Sequence, residues 1–421
     1  MNFEKFMKGG LAAVMAMSLA ACSGSGNASS STNTTTTTTT TTESGSTGTD
    51  TTASTAAAGG KFKLGGSGPL SGGAAVYGNA VKNAAQLAVD EINAKGGAIQ
   101  FEFNMQDDEH DAEKAVNAYN ALKDWGMQVS LCTVTSSPGA AVAPLYKEDS
   151  TFAITPSGSS LAVVFEDADN MTGAYGNIFQ MCFTDPNQGV ASADYLSSHK
   201  DLGSKVAVIY KNDDNYSTGI YNKFVAEAAE KGLEVVYSGT FAGEDNDFNV
   251  QLTQAQSAGA DILFLPIYYQ PASTILKQAN DMGYKVSVFG VDGMDGILSM
   301  EGFDTKLAEG VYLLTPFSAD ASDDLTKNFV ANYQSKYGEV PNQFAADAYD
   351  AVYAIAQALE AAGMTSDKSN ADICSALVGQ FTSMTFNGLT GSDVTWNANG
   401  EVSKAPKAVV IQNGVYVGVE G

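Results

Sequence analysis

The chain has 421 residues, of which 44% are hydrophobic and 16% charged, a length and composition that predict more than one domain around a sizeable core. Acidic residues outnumber basic ones by 47 to 22, a net charge of −25, which argues against nucleic-acid binding and against docking of the folded surface on anionic lipid. The chain has two histidines, and its four cysteines form no CxxC pair. We therefore expect neither a multi-histidine metal enzyme nor a zinc ribbon, and no cofactor or metal.

Residues 1–21 have the pattern of a secretory signal peptide. Lys5 and Lys8 precede an apolar run that is too short to cross a bilayer as a helix. The run ends in the letters LAAC, which resemble the lipobox of bacterial lipoproteins. This resemblance implies cleavage before Cys22 and a lipid on Cys22 that anchors the protein to the membrane. An ordinary export signal that happens to contain a cysteine is the alternative.

Residues 22–60 predict a tether rather than a folded segment. They are almost entirely Ser, Thr, Gly, Ala and Asn, with nine consecutive threonines at 34–42. Without apolar periodicity, nothing offsets the entropy lost on ordering such a segment. We therefore expect a disordered, Ser/Thr-rich spacer between the lipid and a folded region outside the cytoplasm.

The first part of the folded region alternates between strand and helix patterns. The predicted elements are strand 61–65, helix 79–95, strand 99–105, helix 112–125, strand 128–133, helix 140–148 and strand 152–154. A βαβαβ order predicts a parallel sheet with helices on both faces.

A second series of the same kind follows. Its predicted strands are 205–210, 233–237, 260–265 and 286–290, and its predicted helices are 219–231, 248–258 and 273–282. Two successive open α/β sheets predict two lobes with a cleft at the carboxyl ends of their strands. A long helix, 342–362, and a strand, 408–412, complete the predicted elements and are shared between the lobes.

An ordered set of short motifs carries a family resemblance. The motifs are GPLSGG at 68–73, AVDEINAKGG at 88–97, ITPSGS at 154–159, YSTG at 216–219 and DG at 292–293. Together they resemble the leucine/isoleucine/valine-binding proteins, the branched-chain amino acid family of transporter solute-binding proteins. The resemblance covers essentially all of residues 61–421.

The resemblance implies a type I periplasmic binding protein fold. Two Rossmann-like lobes with parallel sheets flanked by helices are joined by three crossovers around a ligand cleft. Carried onto this chain, the first lobe holds 61–184 and 317–390, and the second holds 185–316 and 391–421. The implied function is that of a monomeric, lipid-anchored receptor and not an enzyme. It captures an amino acid by hinge closure and delivers it to the membrane permease of an ABC transporter.

The ligand chemistry gives candidate polar residues. An α-carboxylate needs hydroxyl and N–H donors, best at the start of a helix. Ser136, Ser157 and Ser159 match positions that bind the carboxylate, and part of the ammonium, in the relatives. A buried ammonium needs an anionic partner, and Asp292 is the candidate, where many relatives carry Glu. Helix capping by Ser136 and Ser159, and a simple turn at Asp292, are the alternatives.

Four aromatic residues match positions that line the pocket in the relatives: Tyr77, Tyr216, Tyr268 and Phe344. Aromatic walls suit a branched-chain or other apolar or aromatic side chain. We expect Tyr77 and Tyr216 in loops after strands, where a purely structural role is less natural. A core position on helix 342–362 is the alternative for Phe344.

Two functional alternatives stay open at this point. The same fold serves as a ligand-sensing receptor or regulator, in which closure alters a partner protein. Members of the family also bind amides, urea or aromatic acids instead of amino acids.

Overall fold

The computed structural model describes residues 60–419. The signal peptide, Cys22 and the tether up to residue 59 lie outside the described residues. The strands are β1 (Phe62–Gly68), β2 (Phe101–Asp107), β3 (Val129–Thr133), β4 (Phe152–Thr155), β5 (Phe165–Asp167), β6 (Thr172–Ala174), β7 (Ile178–Gln180), β8 (Lys205–Lys211), β9 (Glu234–Phe241), β10 (Ile262–Leu265), β11 (Ser287–Gly290), β12 (Tyr312–Thr315), β13 (Lys407–Gln412) and β14 (Val415–Gly418).

The helices complete the secondary structure. They are α1 (Ala75–Ala94), α2 (Ala112–Trp125), α3 (Ser136–Glu148), α4 (Asp185–Ser198), α5 (Asn215–Lys231), α6 (Asn249–Ser257), α7 (Tyr269–Asp281), α8 (Asp324–Tyr337), α9 (Gln343–Ala361) and α10 (Asn370–Phe381). Among the described residues, none of the helices has both the length and the apolar character that a membrane span requires.

The first sheet has five parallel strands in the order β2-β1-β3-β4-β7. Its strands and helices follow from local signals in the sequence. Helix α2, for example, begins where the Asp111 carboxylate accepts from Lys114 N, and it ends at Gly126, whose φ of 89° is left-handed. The α/β prediction for this half is confirmed, and β3 and β4 are buried along their whole length.

The second sheet has seven strands in the order β14-β13-β12-β11-β10-β8-β9. Five of them are parallel: four match the predicted strands of the second series, whereas β12 was not predicted, and β13 and β14 are antiparallel additions at one edge. A tight turn explains that edge. Asn413 and Gly414 both have left-handed φ angles, 54° and 76°, which suit a two-residue hairpin connection.

The chain passes between the two sheets three times: through α4, after β12, and again before β13. Helix α9 packs against α1, and α10 packs against β4, so both belong with the first sheet. Residues up to Val402 stay with that sheet as well, because Trp396 Nε1 donates to Gln180 O at 2.8 Å and Gly400 O accepts from Gln180 N at 2.8 Å. The division into lobes stays a prediction, and we move its last boundary from residue 390 to about residue 404.

Four helices begin four residues earlier than the apolar spacing predicts. They are α1, α3, α5 and α7, whose predicted starts were 79, 140, 219 and 273. The first turn of each carries residues such as Tyr77, Ser136 and Tyr216 that do not follow the core-facing periodicity. These first turns face the cleft between the two sheets, so their side chains are not selected for packing in the core.

Candidate ligand site

Four aromatic rings meet in the cleft between the two sheets. The Tyr77 ring lies 4.4 Å from Phe344 and 5.3 Å from Tyr268, and the Tyr268 ring stacks on Tyr216 at 4.8 Å, all between centroids. The adjoining Tyr269 ring adds an edge contact to Tyr77 at 5.0 Å. Tyr77 and Phe344 come from the first-sheet side, and Tyr216 and Tyr268 from the second. The cluster therefore spans the cleft.

Tyr77 also bonds across the cleft through its hydroxyl. That hydroxyl donates to Gly293 O and accepts from Tyr269 N at 3.2 Å. A hydroxyl that both donates and accepts across the cleft can only do so when the lobes are together. The contact gives Tyr77 a part in closure as well as in the wall.

Contrary to the prediction, neither Tyr77 nor Tyr216 lies in a loop. Tyr77 is in the first helical turn of α1 and Tyr216 in that of α5. The Asp214 carboxylate caps α5 by accepting from Ser217 N at 3.2 Å, which starts the helix ahead of the apolar pattern. The helix start fixes the tyrosine more rigidly than a loop would.

The predicted serines lie in one polar corner of the first-sheet side. Ser136 is the first residue of α3, and its Oγ accepts from Ser160 N at 3.2 Å. Ser159 is fully buried, and its Oγ has no hydrogen-bond partner within residues 60–419. Neither hydroxyl caps its helix, so the capping alternative does not describe them. Ser157 differs, because its Oγ donates to Val134 O at 2.5 Å and its hydroxyl is already engaged locally.

Asp292 lies two residues past the end of β11 and contacts the aromatic cluster through Tyr216. It is 3% exposed, and its Oδ1 accepts from the Tyr216 hydroxyl at 2.6 Å. The same hydroxyl accepts from Gly293 N at 2.8 Å. Burial raises the pKa of Asp292 to about 7, although the hydrogen bonds from Tyr216 and Gln188 favour its charged form. The carboxylate thus sits in a place that is costly for a lone negative charge.

Asp185 is a second buried carboxylate beside Asp292, and the sequence reasoning missed it. It begins α4, is 1% exposed, and neither of its carboxylate oxygens has a hydrogen-bond partner within the described residues. Burial raises its pKa well above the ordinary value, the adjacent Ser159 hydroxyl opposes that rise, and the charge of Asp292 adds to it. In the sequence, Thr184-Asp185-Pro186 looks like a plain helix start. Nothing in it signals a site.

Two glutamines hold the backbone around Asp292. Gln188 Oε1 accepts from Asp292 N at 3.2 Å, and Gln343 Nε2 donates to Asp292 O at 3.0 Å. Gln343 begins α9 next to Phe344, so one helix start supplies both an aromatic wall residue and a hydrogen bond to the Asp292 backbone. Both glutamines also went unrecognised in the sequence, because side chains that bond to backbone leave no spacing pattern.

A cavity of about 330 Å³ continues from Tyr268 toward the mouth of the cleft. His110 lines it, with its ring edge-on to Tyr268 at 5.3 Å and its Nδ1 2.9 Å from Thr135 Oγ1. Burial lowers the pKa of His110, and the carboxylates of Asp214 and Glu244 oppose that shift. The neutral ring is therefore the favoured form at neutral pH.

Cysteine chemistry does not contribute to this cleft. Cys132, Cys182 and Cys374 are all buried free thiols. Burial raises the pKa of Cys132 to about 12 and that of Cys374 to about 11, so these two thiols are poor nucleophiles.

Known proteins with this fold and sequence pattern include ligand receptors. A family model described as periplasmic binding protein matches residues 61–414. The Leu/Ile/Val-binding protein BraC3 of Rhizobium johnstonii is 27% identical over 301 residues, 71% of this chain and 79% of that protein. The branched-chain amino acid transporter substrate binding protein LivJ of Streptococcus pneumoniae, solved with isoleucine, is 29% identical with a TM-score of 0.74, and the match covers 85% of this chain and 98% of that one.

A more distant structure shares the fold alone. The solute binding protein of an ABC transporter from R. palustris, solved with benzoate, has a TM-score of 0.75 at 21% identity, over 86% of this chain and 96% of that one. The comparisons confirm the predicted fold and the resemblance to the Leu/Ile/Val-binding proteins.

Proposed function

The chain belongs to the periplasmic binding protein family, and we propose that it is the extracytoplasmic substrate receptor of an ABC transporter for a free α-amino acid with an apolar side chain, branched or aromatic. Capture takes place in the cleft between the lobes. Delivery to a permease and anchoring through a lipid on Cys22 are parts of the same proposal, supported by the leader pattern and the names of the relatives.

The observation that carries the proposal is the pair of buried carboxylates without a cation. None of the salt bridges formed within residues 60–419 includes Asp185 or Asp292. Burial away from solvent makes the charged form of each carboxylate costly. A ligand ammonium between them would supply the missing charge and hydrogen-bond donors for both.

The serine corner suits the other end of an amino acid. Ser136 opens α3, where the first-turn N–H groups have no partner in the helix and the helix dipole favours an anion. The Ser159 hydroxyl, which lacks a protein partner, adds a donor close by. We assign the α-carboxylate to this corner and the ammonium to Asp185 and Asp292, with Ser157 contributing its backbone groups.

The side chain of the ligand then points to the aromatic cluster. The rings of Tyr77, Tyr268 and Phe344 form an apolar wall beside the carboxylates. This placement favours leucine-like or aromatic side chains over glycine or alanine. It does not by itself choose between them.

The carboxylate pair also argues against the other ligand classes. An aromatic acid such as benzoate carries a negative charge and no cation, so it would add a third anion beside Asp185 and Asp292. Urea and simple amides are neutral and would leave both carboxylates uncompensated. An α-amino acid satisfies the serine corner and the carboxylate pair together.

Closure of the cleft is built from contacts between the lobes. Besides the Tyr77 bond to Gly293, the Ser137 hydroxyl on α3 donates to Asp214 Oδ1 at the start of α5, at 3.0 Å. These contacts form only when the lobes meet. A ligand that touches both lobes would therefore stabilise the closed arrangement.

A thermal-shift screen tests the proposal. The purified protein is unfolded and refolded to remove carried-over ligand, then mixed with the twenty amino acids, small amides, urea and aromatic acids. We expect a rise of several degrees in the unfolding midpoint with apolar amino acids. A response confined to aromatic acids or amides would contradict the assignment of Asp185 and Asp292 to an ammonium.

A further inference from the structure

A second cavity, of about 440 Å³, lies behind the crossover that follows β12. Residues that line it include Asp295, Leu298, Leu313, Phe317, Val340 and Tyr416. Its volume falls in the range of small-molecule sites, and most of these side chains are apolar. Asp295 is three residues past Asp292, so the two carboxylates lie on either side of one short turn.

Both lobes contribute to this cavity. Leu313 on β12 and Tyr416 on β14 belong to the second sheet, whereas Val340 precedes α9, which packs on the first. Val340 and Val415, which also lines the cavity, are 55% and 58% exposed and belong to the few large apolar side chains that the described surface leaves open. Exposed apolar residues at the mouth of a cavity are typical of a binding site.

The floor of the cavity carries a buried carboxylate that has no cation among the described residues. Asp295 is 3% exposed, and its Oδ2 accepts from Gln343 N at 3.0 Å. Its Oδ1 is buried and has no hydrogen-bond partner within residues 60–419. The Tyr416 hydroxyl, which accepts from Gly296 N at 3.2 Å, also lies against the Asp295 carboxylate and opposes the rise in its pKa that burial causes. None of the salt bridges within residues 60–419 includes Asp295, so a bound cation would supply the charge that this buried carboxylate lacks.

We propose that this cavity is a second ligand site, for a small organic amine with an apolar body. The ammonium would meet Asp295 Oδ1 in a charge-assisted hydrogen bond, which is stronger than a neutral one. The apolar body would cover Leu298, Leu313 and Phe317 and shield Val340 and Val415 from water. A neutral alcohol of the same shape would lack the charge, and an anion would be repelled by Asp295.

Gln343 connects this cavity to the cleft. Its backbone N–H donates to Asp295 Oδ2, and its side-chain Nε2 donates to Asp292 O. A ligand that holds Asp295 in place therefore also holds the residue that clamps Asp292. We infer that occupancy of the cavity strengthens amino acid capture, an effect that rests on the proposed function, and that the reverse holds by linkage.

Isothermal titration calorimetry with cyclohexylamine at pH 7.5, in the absence of any amino acid, tests the site. Cyclohexanol and cyclohexanecarboxylate are the neutral and anionic comparisons. Val340→Trp fills the mouth of the cavity from an exposed position, and Val250→Trp, at a site 71% exposed elsewhere, is its matched control. Asp295→Asn removes the charge while keeping an acceptor for Gln343 N.

We expect cyclohexylamine to bind with a stoichiometry of one, and cyclohexanol and cyclohexanecarboxylate to bind at least tenfold more weakly. Val340→Trp and Asp295→Asn should each weaken the amine by roughly tenfold or more, whereas Val250→Trp should not. Absence of binding, equal binding of cyclohexanol, or full binding to Val340→Trp would overturn the proposal. So would loss of amine binding in Asp292→Ala alone, because it would place the amine in the cleft.

A second titration, of leucine with and without saturating cyclohexylamine, tests the coupling. We expect leucine to bind several-fold more tightly when the amine is present. An unchanged leucine affinity would overturn the coupling. Failure of leucine to bind at all would instead count against the proposed function, because the amine titration does not depend on it.

Discussion

Buried carboxylates occur both on helix α9 and in the cleft, but among the described residues a lysine pairs only with Asp347 on α9. Asp347 on α9 pairs with Lys404 Nζ at 2.6 Å, and both side chains are only 2% exposed. Asp185 and Asp292 are equally buried but form no salt bridge within the described residues. The chain supplies its own cation in one place and none in the other.

The paired group has every mark of a structural element. Lys404 also contacts Thr390 Oγ1, and Asp350 accepts from Leu389 N at 2.9 Å and from Thr390 N at 2.9 Å. Burial still raises the pKa of Asp347 to about 6, while Lys404 opposes the rise. Here the ion pair fastens the late segment of the chain to α9. In the cleft, Asp185 and Asp292 have no such cation within the described residues. We propose that the ligand supplies it.

We expect the largest loss of stability when the buried Asp347–Lys404 ion pair is broken. Lys404→Met leaves Asp347 buried and unpaired, so we expect the free energy of unfolding to fall by about 3–5 kcal/mol. Urea denaturation measures it. The control is Lys277→Met, which breaks an exposed pair with Asp281 and should cost at most about 0.5 kcal/mol. Similar small losses in both variants would show that the buried pair is not structural.

Asp292→Ala should weaken ligand binding without destabilising the fold, because it removes a buried carboxylate that has no cation. We expect leucine binding to weaken by about 2–5 kcal/mol, while the free energy of unfolding stays the same or rises. Asp281→Ala, an exposed carboxylate on α7, serves as the control and should change neither. An unaltered leucine affinity in Asp292→Ala, measured by calorimetry, would remove Asp292 from the site.

The free energy of unfolding and the ligand affinity should depend on pH in opposite directions. Because the folded-state pKa of Asp292, about 7, lies above that of an unfolded Asp, the folded protein takes up a proton as the pH falls. Without ligand, the penalty for ionising Asp292 should therefore make the protein about 1 kcal/mol less stable at pH 8 than at pH 6.

Ligand affinity should move the other way, since an ammonium needs the ionised form. We expect the Kd for leucine to rise about tenfold from pH 8 to pH 6. Titrations at both pH values, paired with unfolding curves of the stripped protein, measure the two trends together. A Kd that is flat across this range would contradict an ammonium at Asp292.

We expect smaller effects from Ser157 and Ser159, two serines separated by one glycine. Ser159→Ala removes a hydroxyl beside Asp185 that forms no well-aligned hydrogen bond, so it should weaken leucine binding by about 0.5–1.5 kcal/mol with little effect on stability. Ser157→Ala removes the bond to Val134 O, so it should lower stability by a similar amount with little effect on affinity. Interchanged results would mean that the two hydroxyls have each other's roles.

Most of the fold could be predicted from the sequence, but several polar residues of the cleft could not. Strand and helix alternation identified both sheets, and the family resemblance supplied eight candidate residues, whose roles in ligand binding stay predictions. Helix α4 was missed because it is built of small residues such as Gly189 and Ser192. A Cβ at Gly189 would meet Ile220 O at 2.7 Å, so close packing against α5 demands small side chains and hides the helical pattern.

The missing half of the cleft followed from that omission. Asp185 and Gln188 lie on α4, and their importance comes from where the crossover places them beside Asp292. Their neighbours in sequence give no hint of it. Gln343 was unrecognised for a related reason, since it acts through Asp292 O and Asp295 Oδ2 on a segment 48 to 51 positions away. Contacts of this kind depend on tertiary structure alone.

If a ligand ammonium binds between Asp185 and Asp292, binding should release a proton from the Asp292 carboxyl group, whose pKa is about 7 without ligand. Leucine is titrated by calorimetry at pH 6.5 in two buffers of different ionisation enthalpy, beside 4-methylpentanoate, which lacks the ammonium. We predict that leucine binding releases between about half a proton and one proton, that the release fades by pH 8.5, and that 4-methylpentanoate binds far more weakly. Leucine binding without proton release, or with an affinity that 4-methylpentanoate matches, would contradict the account.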